Sequence, residues 1–202
     1  HILSERRAGD FRILANSVFR KAEDLDRVIL PISFDETREA KAQNLKTRKD
    51  ALNYLASGGA MGVFPGGTVS TSAKPFSAPM DPIWRSFTAK MISKSGARVV
   101  PIFFEGANSR LFQVASHLHK TLRMALLIKE FKRRTDEPVR VAIGHPIDPE
   151  ELAAYAKDQK AMMDFLRART YALSPEPLDS RDYGFEFEAK HKRAEQNGSR
   201  DF

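Results

Sequence analysis

Apolar residues along this chain fall into short runs, and segments with helical spacing separate those runs. The short runs predict strands, at residues 11–15, 28–32, 60–64, 98–104 and 139–143. Helical spacing is clearest at Trp84, Phe87, Met91 and Ile92, which fall at i, i+3, i+7 and i+8 and precede Gly96. Strands that alternate with helices predict an α/β fold with a single, mostly parallel sheet and helices on both faces.

Further helices are predicted on both sides of the central strands. Between residues 38 and 57 a one-sided stripe is formed by Ala42, Leu45, Leu52, Leu55 and Ala56. Residues 111–131 predict one or two helices, and residues 149–172 predict more. Residues 2–8 resemble the last turns of a helix that Gly9 ends, so we expect the natural chain to begin upstream.

The length and composition favour one domain. The chain has 202 residues, of which 42% are hydrophobic, and this is enough for one sizeable core. We predict an α/β domain over residues 1–173, incomplete at its N-terminus. Residues 174–202 are polar and proline-containing, which predicts an arm or a partly disordered tail.

The net charge and the amino-acid composition limit the kinds of metal site and binding partner that the chain can have. The chain has no cysteine, which excludes disulfides and thiolate metal sites, and its five histidines lack ligand spacing. The net charge of +7 favours an anionic partner: nucleic acid, a phosphorylated metabolite, an acidic protein or an anionic bilayer. No apolar run approaches the roughly 18 residues that span a bilayer, so we expect membrane contact to be peripheral, unless a spanning segment lies outside this sequence.

Two of the predicted strands end in polar turns that we expect to form one substrate site, because ligands of open α/β sheets bind beyond the strand carboxyl ends. The first turn contains Pro-Gly-Gly, whose backbone can approach a ligand closely, although a simple tight turn remains the alternative. Neither a P-loop nor a Gly-x-Gly-x-x-Gly pattern is present. The predicted substrate-binding residues are Phe64, Pro65, Gly66, Gly67, Thr68, Ser70, Glu105, Gly106, Asn108 and Arg110.

These residues resemble a known family. The block from Phe64 to Ser70 resembles the Phe-Pro-Glu-Gly-Thr-Arg-Ser block of the glycerolipid acyltransferases, the lysophosphatidic acid acyltransferase-like superfamily. Residues 99–102 resemble its Val-Pro-Val block, and residues 100–112 resemble the bacterial branch of hemolysin-like and ornithine-lipid acyltransferases. Residues 29–35 stand where the acceptor-binding second block of the family would be. The resemblance covers roughly residues 11–149 and implies a glycerol-3-phosphate acyltransferase-like fold.

The chain departs from the family pattern at two positions of the third block. Gly66 stands where the family has Glu, and Val69 stands where it has Arg. The resemblance implies that this pair binds the glycerol-phosphate part of the acceptor, so a different acceptor, such as a lyso-ornithine lipid, fits better. Lys74 and Arg110 are candidates for the missing positive charge.

The first block of the family, Asn-His-x4-Asp, is absent from the chain. In the family, the histidine is the general base that activates the acceptor hydroxyl, and the aspartate orients it. No histidine here has an aspartate five positions on; the residues found there are Arg6 after His1, Leu122 after His117, Met124 after His119, Glu150 after His145 and Gln196 after His191. We therefore predict no catalytic residue within the chain, expect the block upstream of residue 1, and interpret His145 as a loop histidine.

The resemblance implies a 1-acylglycerol-phosphate acyltransferase-like enzyme of membrane-lipid biosynthesis. It would move a fatty acyl group from acyl-CoA or acyl carrier protein to the hydroxyl of a lyso-lipid, without a cofactor, at the cytoplasmic face of the bacterial inner membrane. The chain alone is expected to be inactive. The alternative is a non-catalytic basic module that binds lipid or nucleic acid; nucleic acid is disfavoured because no recognition helix or zinc pattern is present.

Three local features leave alternatives open. Glu105 fits either a structural carboxylate or a general acid or base, and Trp84, Phe87 and Met91 fit either a core or an acyl pocket. Residues 122–134 combine apolar residues with lysines and arginines, and fit either a buried helix with a solvated end or a basic helix that lies on an anionic bilayer.

Overall fold

The structure is a computed structural model that describes residues 2–17, 23–33 and 37–186. Its elements in chain order are α1 (Ile2–Arg6), β1 (Arg12–Asn16), α2 (Glu23–Asp26), β2 (Ile29–Ile32), α3 (Arg38–Ala56), β3 (Met61–Val63), β4 (Thr71–Ser72), β5 (Pro79–Met80), α4 (Ser86–Ser95), β6 (Ile102–Phe104), α5 (Arg110–Leu118), α6 (Lys120–Arg134), β7 (Val141–Ile143), α7 (Pro149–Ala153) and α8 (Gln159–Tyr171). The mixed α/β class predicted from the sequence is confirmed.

The described residues divide into two compact units, each built from separate stretches of chain. The first unit takes its residues from His1–Pro65, Arg85–Val99 and Ile147–Met163. The second unit takes its residues from Gly66–Trp84, Val100–Pro146 and Asp164–Phe202. The boundary after Pro65 falls within the glycine-containing block, and α8 is divided between the two units. The prediction of one domain over residues 1–173 stays a prediction.

The first unit contains a parallel sheet in the order β2-β1-β3. The helix α3 packs on β2 with a face that differs from the predicted stripe: Leu45 is exposed, whereas Ala40, Thr47 and Ala51 are buried. The Thr47 hydroxyl donates to the Pro31 carbonyl at 2.6 Å, which fastens α3 to β2. The stripe prediction was wrong because it counted only apolar residues, and a polar side chain anchors this helix.

The second unit contains two small antiparallel sheets. Strand β6 pairs with β7, with Ile102 opposite Ile143, and β4 pairs with β5. The predicted single, mostly parallel sheet therefore differs from the observed pairing. A single-helix crossover gives a parallel neighbour, but two helices, α5 and α6, connect β6 to β7, and the second helix adds one more reversal. The short strands β4 and β5 were missed because hydroxyl and proline residues resemble a loop.

Residues 174–186, part of the predicted arm or tail, pack against other residues of the second unit, to which they belong. The Gly184 N–H donates to the Asp81 carbonyl at 2.9 Å, and the Phe185 N–H donates to the Thr71 carbonyl at 3.1 Å. A Cβ added at Gly184 would lie 1.8 Å from the Met80 carbonyl oxygen, so only glycine fits this close approach. Residues 187–202 lie outside the described residues.

A buried arginine on α8 holds this segment in place. The Arg167 side chain is fully buried and is surrounded by the rings of Trp84, Tyr171 and Tyr183, with its guanidinium carbon 4.6 to 5.8 Å from the ring centres. Its guanidinium donates to four main-chain carbonyls, those of Asp81, Pro82, Ser180 and Asp182, at distances of 2.8 to 3.1 Å. One side chain therefore fastens residues 180–182 to residues 81–82.

Candidate functional site

A buried glutamine joins the segment after the glycine loop to the turn after β6. Gln113 lies on α5, and its Oε1 accepts from the Ser72 N–H at 2.9 Å. Its Nε2 donates to the Asn108 carbonyl at 3.3 Å. The Nε2–H of His117, one turn further along α5, donates to the Ser72 carbonyl at 2.9 Å. Helix α5 therefore holds the two predicted site segments together within the second unit.

A buried arginine on α6 gathers hydroxyl groups from the same region. Arg123 is 4% exposed, and one of its terminal nitrogens donates to the hydroxyls of Thr71 at 3.0 Å and Ser116 at 2.7 Å. The other donates to the Thr68 hydroxyl at 3.4 Å. The guanidinium also stands over the Phe112 ring, 5.0 Å from its centre. The sequence analysis left open whether the helix that contains Arg123 is buried or lies on a bilayer; the structure buries Arg123 beside Thr68 and Thr71.

A carboxylate stands beside Gly66. Asp81 accepts hydrogen bonds from the Ser70 hydroxyl and, at 2.9 Å, from the indole N–H of Trp84. A Cβ added at Gly66 would lie 3.5 Å from the Cβ and Cγ of Asp81, which is ordinary van der Waals contact. Burial and the Asp81 carboxylate raise the pKa of Tyr171, whose hydroxyl accepts from the Asp81 N–H. The chain thus has a carboxylate next to the position where the resembled family has glutamate.

We expect Gly66→Ala to leave the free energy of unfolding nearly unchanged and Gly66→Glu to lower it. Alanine fits the space and restricts the unfolded chain, so the free energy of unfolding should stay within about 1 kcal/mol of wild type. A glutamate carboxylate would face Asp81, and like charges repel, so this variant should unfold at a clearly lower urea concentration. Urea denaturation followed by circular dichroism measures both. Equal midpoints for the two variants would show that Asp81 does not fill this position.

The turn before α5 is fixed by charged residues of α6. Burial alone would raise the pKa of Glu130, but hydrogen bonds from the Ser109 side chain and backbone, together with the charge of Arg133, outweigh it, so the pKa is lowered. Ser109 is also the N-cap of α5, and its hydroxyl accepts from the Phe112 N–H. Arg134 donates to the Ala107 carbonyl. The turn therefore has a fixed conformation before any ligand binds.

The remaining predicted site residues have different surroundings. Gly67 is exposed with φ +68°, Arg110 is the exposed first residue of α5, and the half-buried Glu105 donates its N–H to the Arg140 carbonyl. Gly106 lies beside Arg134, where an added Cβ would stand 3.3 Å from a guanidinium nitrogen. Phe64 and Pro65 belong to the first unit, where the Arg85 N–H donates to the Pro65 carbonyl. Substrate binding by this set stays a prediction.

The other candidates divide between core and surface. Met91 is 2% exposed and belongs to the core, whereas Trp84 precedes α4 and is half-buried, so the predicted helix begins two residues later than expected. His145 and Lys74 are exposed. Residues 34–36 lie outside the described residues, so the end of the acceptor-like block at 29–35 has no described position.

Sequence reasoning missed the residues that organise the site, which are Gln113, Arg123, Asp81, Thr71 and Ser116. None of them belongs to a motif block, and their partners lie up to 90 residues away in sequence, as Tyr171 does from Asp81. One signal was present. Arg123 and Glu130 are seven residues apart and share a helix face, about 100° round the helix from the face of the apolar Met124 and Phe131. Either face could have been the buried one.

Cavities and ligand clusters add little to this site. A cavity of about 130 Å³ in the first unit is lined by apolar residues of α4, α7 and α8, among them Ile92, Leu152 and Met162. It is well below the roughly 300 Å³ at which ligand pockets begin. Within residues 2–17, 23–33 and 37–186, no group of three or more His, Asp or Glu side chains could hold a metal ion.

The chain has no significant match to any protein-family model, curated protein or solved structure.

Proposed function

We propose that the chain is the substrate-binding part of an acyltransferase that acts on a lyso-lipid. The proposal rests on one observation, the bridge that Gln113 makes between Ser72 and Asn108. Through this bridge β4, which follows the glycine loop, and the turn after β6 contact the same helix, as a shared acceptor site requires. The finer fold class, a single mostly parallel sheet of glycerol-3-phosphate acyltransferase type, is part of the proposal.

The proposed reaction transfers an acyl group from a thioester to an alcohol, which forms an ester. The acceptor hydroxyl attacks the thioester carbonyl of acyl-CoA or acyl carrier protein, a C–O bond forms, the C–S bond breaks, and the hydroxyl proton passes to the leaving thiolate. The exposed backbone at Gly67 can approach the acceptor, while hydroxyls such as those of Thr68 and Ser70 offer hydrogen bonds to its headgroup. The chain supplies no residue in the His-x4-Asp pattern. A positioned base contributes about 10²- to 10⁴-fold, so we expect little turnover from the 202 residues alone.

The acceptor is proposed to be a lyso-lipid other than lysophosphatidic acid. Gly66 and Val69 replace the charged pair of the family, and the nearby charges are those of Asp81 and Arg123, both of which already bond to loop hydroxyls. A zwitterionic headgroup such as that of lyso-ornithine lipid suits one carboxylate and one guanidinium better than a phosphomonoester does. The proposed location is the cytoplasmic face of the bacterial inner membrane.

A transfer assay on the protein expressed from its intact gene tests the proposal. Palmitoyl-CoA or palmitoyl carrier protein is supplied with lyso-ornithine lipid or 1-acylglycerol-3-phosphate, and mass spectrometry detects the diacylated product. We expect product with lyso-ornithine lipid to exceed that with 1-acylglycerol-3-phosphate. No product with either acceptor, together with retained lipid binding, would favour the alternative, a non-catalytic lipid-binding module.

Substitutions at Gly67 show whether activity belongs to this loop. Gly67 has φ +68°, which a β-branched side chain adopts only under strain, whereas asparagine tolerates it. We expect Gly67→Val to lower product formation at least tenfold and Gly67→Asn to stay within a few-fold of wild type. The asparagine variant should melt near the wild-type temperature, and the valine variant should melt lower because of the strain but remain folded at the assay temperature, since the position is exposed. Equal activity of the valine variant would remove the loop from the proposal.

A further inference from the structure

The helix α6 buries two charged residues and exposes three large apolar residues. Arg123 and Glu130 are 4% and 6% exposed, whereas Met124, Ile128 and Phe131 are 50%, 57% and 74% exposed. The three apolar residues fall at i, i+4 and i+7, so they form a stripe along one helix face. In a typical surface helix the apolar stripe faces the core. Here the hydroxyl cluster around Arg123 and the bond from Ser109 to Glu130 hold the face with the two charged residues inward.

The exposed charged side chains of α6 itself have one sign. Lys129 and Lys132 are exposed on α6, and Lys132 lies at the edge of the stripe by helical spacing. The only acidic residue in the sequence of α5 and α6 is Glu130, which is buried. Arg133 bonds to Glu130 and Arg134 bonds to the Ala107 carbonyl. Lys132 is therefore the cation beside the stripe, and Lys129 lies on the neighbouring exposed face of the helix.

We propose that the α6 stripe, defined as Met124, Ile128 and Phe131 with Lys129 and Lys132, docks the protein on an anionic lipid bilayer. Bulky apolar side chains enter the boundary between headgroups and acyl chains, and lysines extend along them toward anionic headgroups. A bilayer suits this surface because three large apolar residues on one exposed helix face can enter the headgroup boundary together, while exposed lysines of the same helix meet the anionic headgroups. No helix among the described residues is long and apolar enough to cross a membrane.

The proposal goes beyond acyl transfer and does not depend on it. A protein that binds vesicles without turning over a thioester would leave the docking surface intact and refute only the enzyme. A protein that transfers acyl groups in detergent but ignores vesicles would do the reverse. The two proposals are therefore tested separately.

Sedimentation with sucrose-loaded vesicles tests the docking surface. The full chain is mixed with vesicles of phosphatidylcholine alone or with 30 mol% phosphatidylglycerol, an anionic fraction of the order found in membranes that attract basic segments. We expect binding to the anionic vesicles only, weakening as salt is raised from about 50 to 500 mM because ions screen the lysines. Equal binding to both vesicles, or none to either, overturns the proposal.

Two variants of the stripe separate its apolar and charged parts. Ile128→Ser with Phe131→Ser should lower the partition coefficient at least tenfold. Lys129→Gln with Lys132→Gln should lower it about 25-fold at low salt, roughly fivefold for each lysine, and remove most of the salt dependence. Because these side chains are exposed, both variants should keep the wild-type melting temperature. Wild-type partitioning by either folded variant rejects the corresponding part.

A matched control lies on α3, which is also basic. Leu45 is 68% exposed and is flanked by Lys41, Lys46 and Lys49, but no apolar stripe surrounds it. Leu45→Ser should leave vesicle binding unchanged, and a loss equal to that of the α6 variant would mean nonspecific adsorption. Sedimentation equilibrium without lipid tests whether a second copy of the chain, and not a bilayer, covers the stripe. A concentration-dependent dimer that Ile128→Ser with Phe131→Ser abolishes would assign the stripe to a second copy of the chain and overturn the bilayer proposal.

Discussion

Replacing Arg167 with alanine is expected to lower the free energy of unfolding by about 3 to 5 kcal/mol. The guanidinium is the donor to four main-chain carbonyls, and each buried carbonyl left without a donor costs about 1 to 3 kcal/mol before relaxation. The three surrounding aromatic rings would also lose the cation that fills the space between them. Urea denaturation followed by circular dichroism measures the loss.

Two further substitutions serve as controls for Arg167→Ala. Arg181→Ala removes an exposed guanidinium of the same segment, which pairs with Asp179 at 2.7 Å, and should leave the midpoint unchanged. Arg167→Lys keeps the charge but supplies three donors in a different geometry, so its midpoint should lie between wild type and Arg167→Ala. If Arg167→Ala unfolds at the same urea concentration as Arg181→Ala, the clamp does not stabilise the protein.

Replacing Gln113 with leucine should cost about 2 to 4 kcal/mol and loosen the candidate site. The substitution keeps the approximate size but leaves the Ser72 N–H and the Asn108 carbonyl without their side-chain partner in a buried place. We expect faster hydrogen exchange at the Ser72 amide in addition to the lower midpoint. Because the Gln113 bridge holds the segments of the proposed acceptor site together, acyl transfer to the lyso-lipid should also decrease.

The matched control is Gln43→Leu on α3. Gln43 also donates from a helix to a neighbouring side chain, the Thr47 hydroxyl at 3.1 Å, but it joins no distant segments. Its effect should be below about 1 kcal/mol. Gln113→Glu provides a second test, because it still accepts from the Ser72 N–H but cannot donate to Asn108. Unchanged exchange at Ser72 in Gln113→Leu would contradict the bridge.

The sequence predicted the parts of the fold that depend on local signals. Each of the five predicted strand runs overlaps an observed strand, and Gly96 ends α4 with φ +61° as its position after the apolar spacing indicates. Helix α3 was placed within a residue of its observed end at Ala56. These features depend on neighbours in sequence, and hydrophobic periodicity and capping residues record such neighbours.

Strand pairing and the face of α6 could not be predicted because they depend on distant residues. The antiparallel pairing of β6 with β7 follows from the two-helix connection, and the sequence left open whether residues 111–131 form one helix or two. The inward turn of Arg123 depends on hydroxyls 52 and 55 residues away. Counting apolar residues on a helix cannot show which face finds such partners. For the candidate site, the two turns were predicted and the side chains that join them were not.

The long reach of Arg167 has a consequence for synthesis on the ribosome. Its bonds to Asp81 and Pro82 span 86 and 85 residues, and its bonds to Ser180 and Asp182 need a segment made after α8. Contacts so distant in sequence form slowly, and vectorial synthesis delays them further. The second unit can therefore close only after residues 180–185 have left the exit tunnel. Until then β4, β5 and the aromatic rings around Arg167 remain exposed on the nascent chain, where a chaperone would bind them.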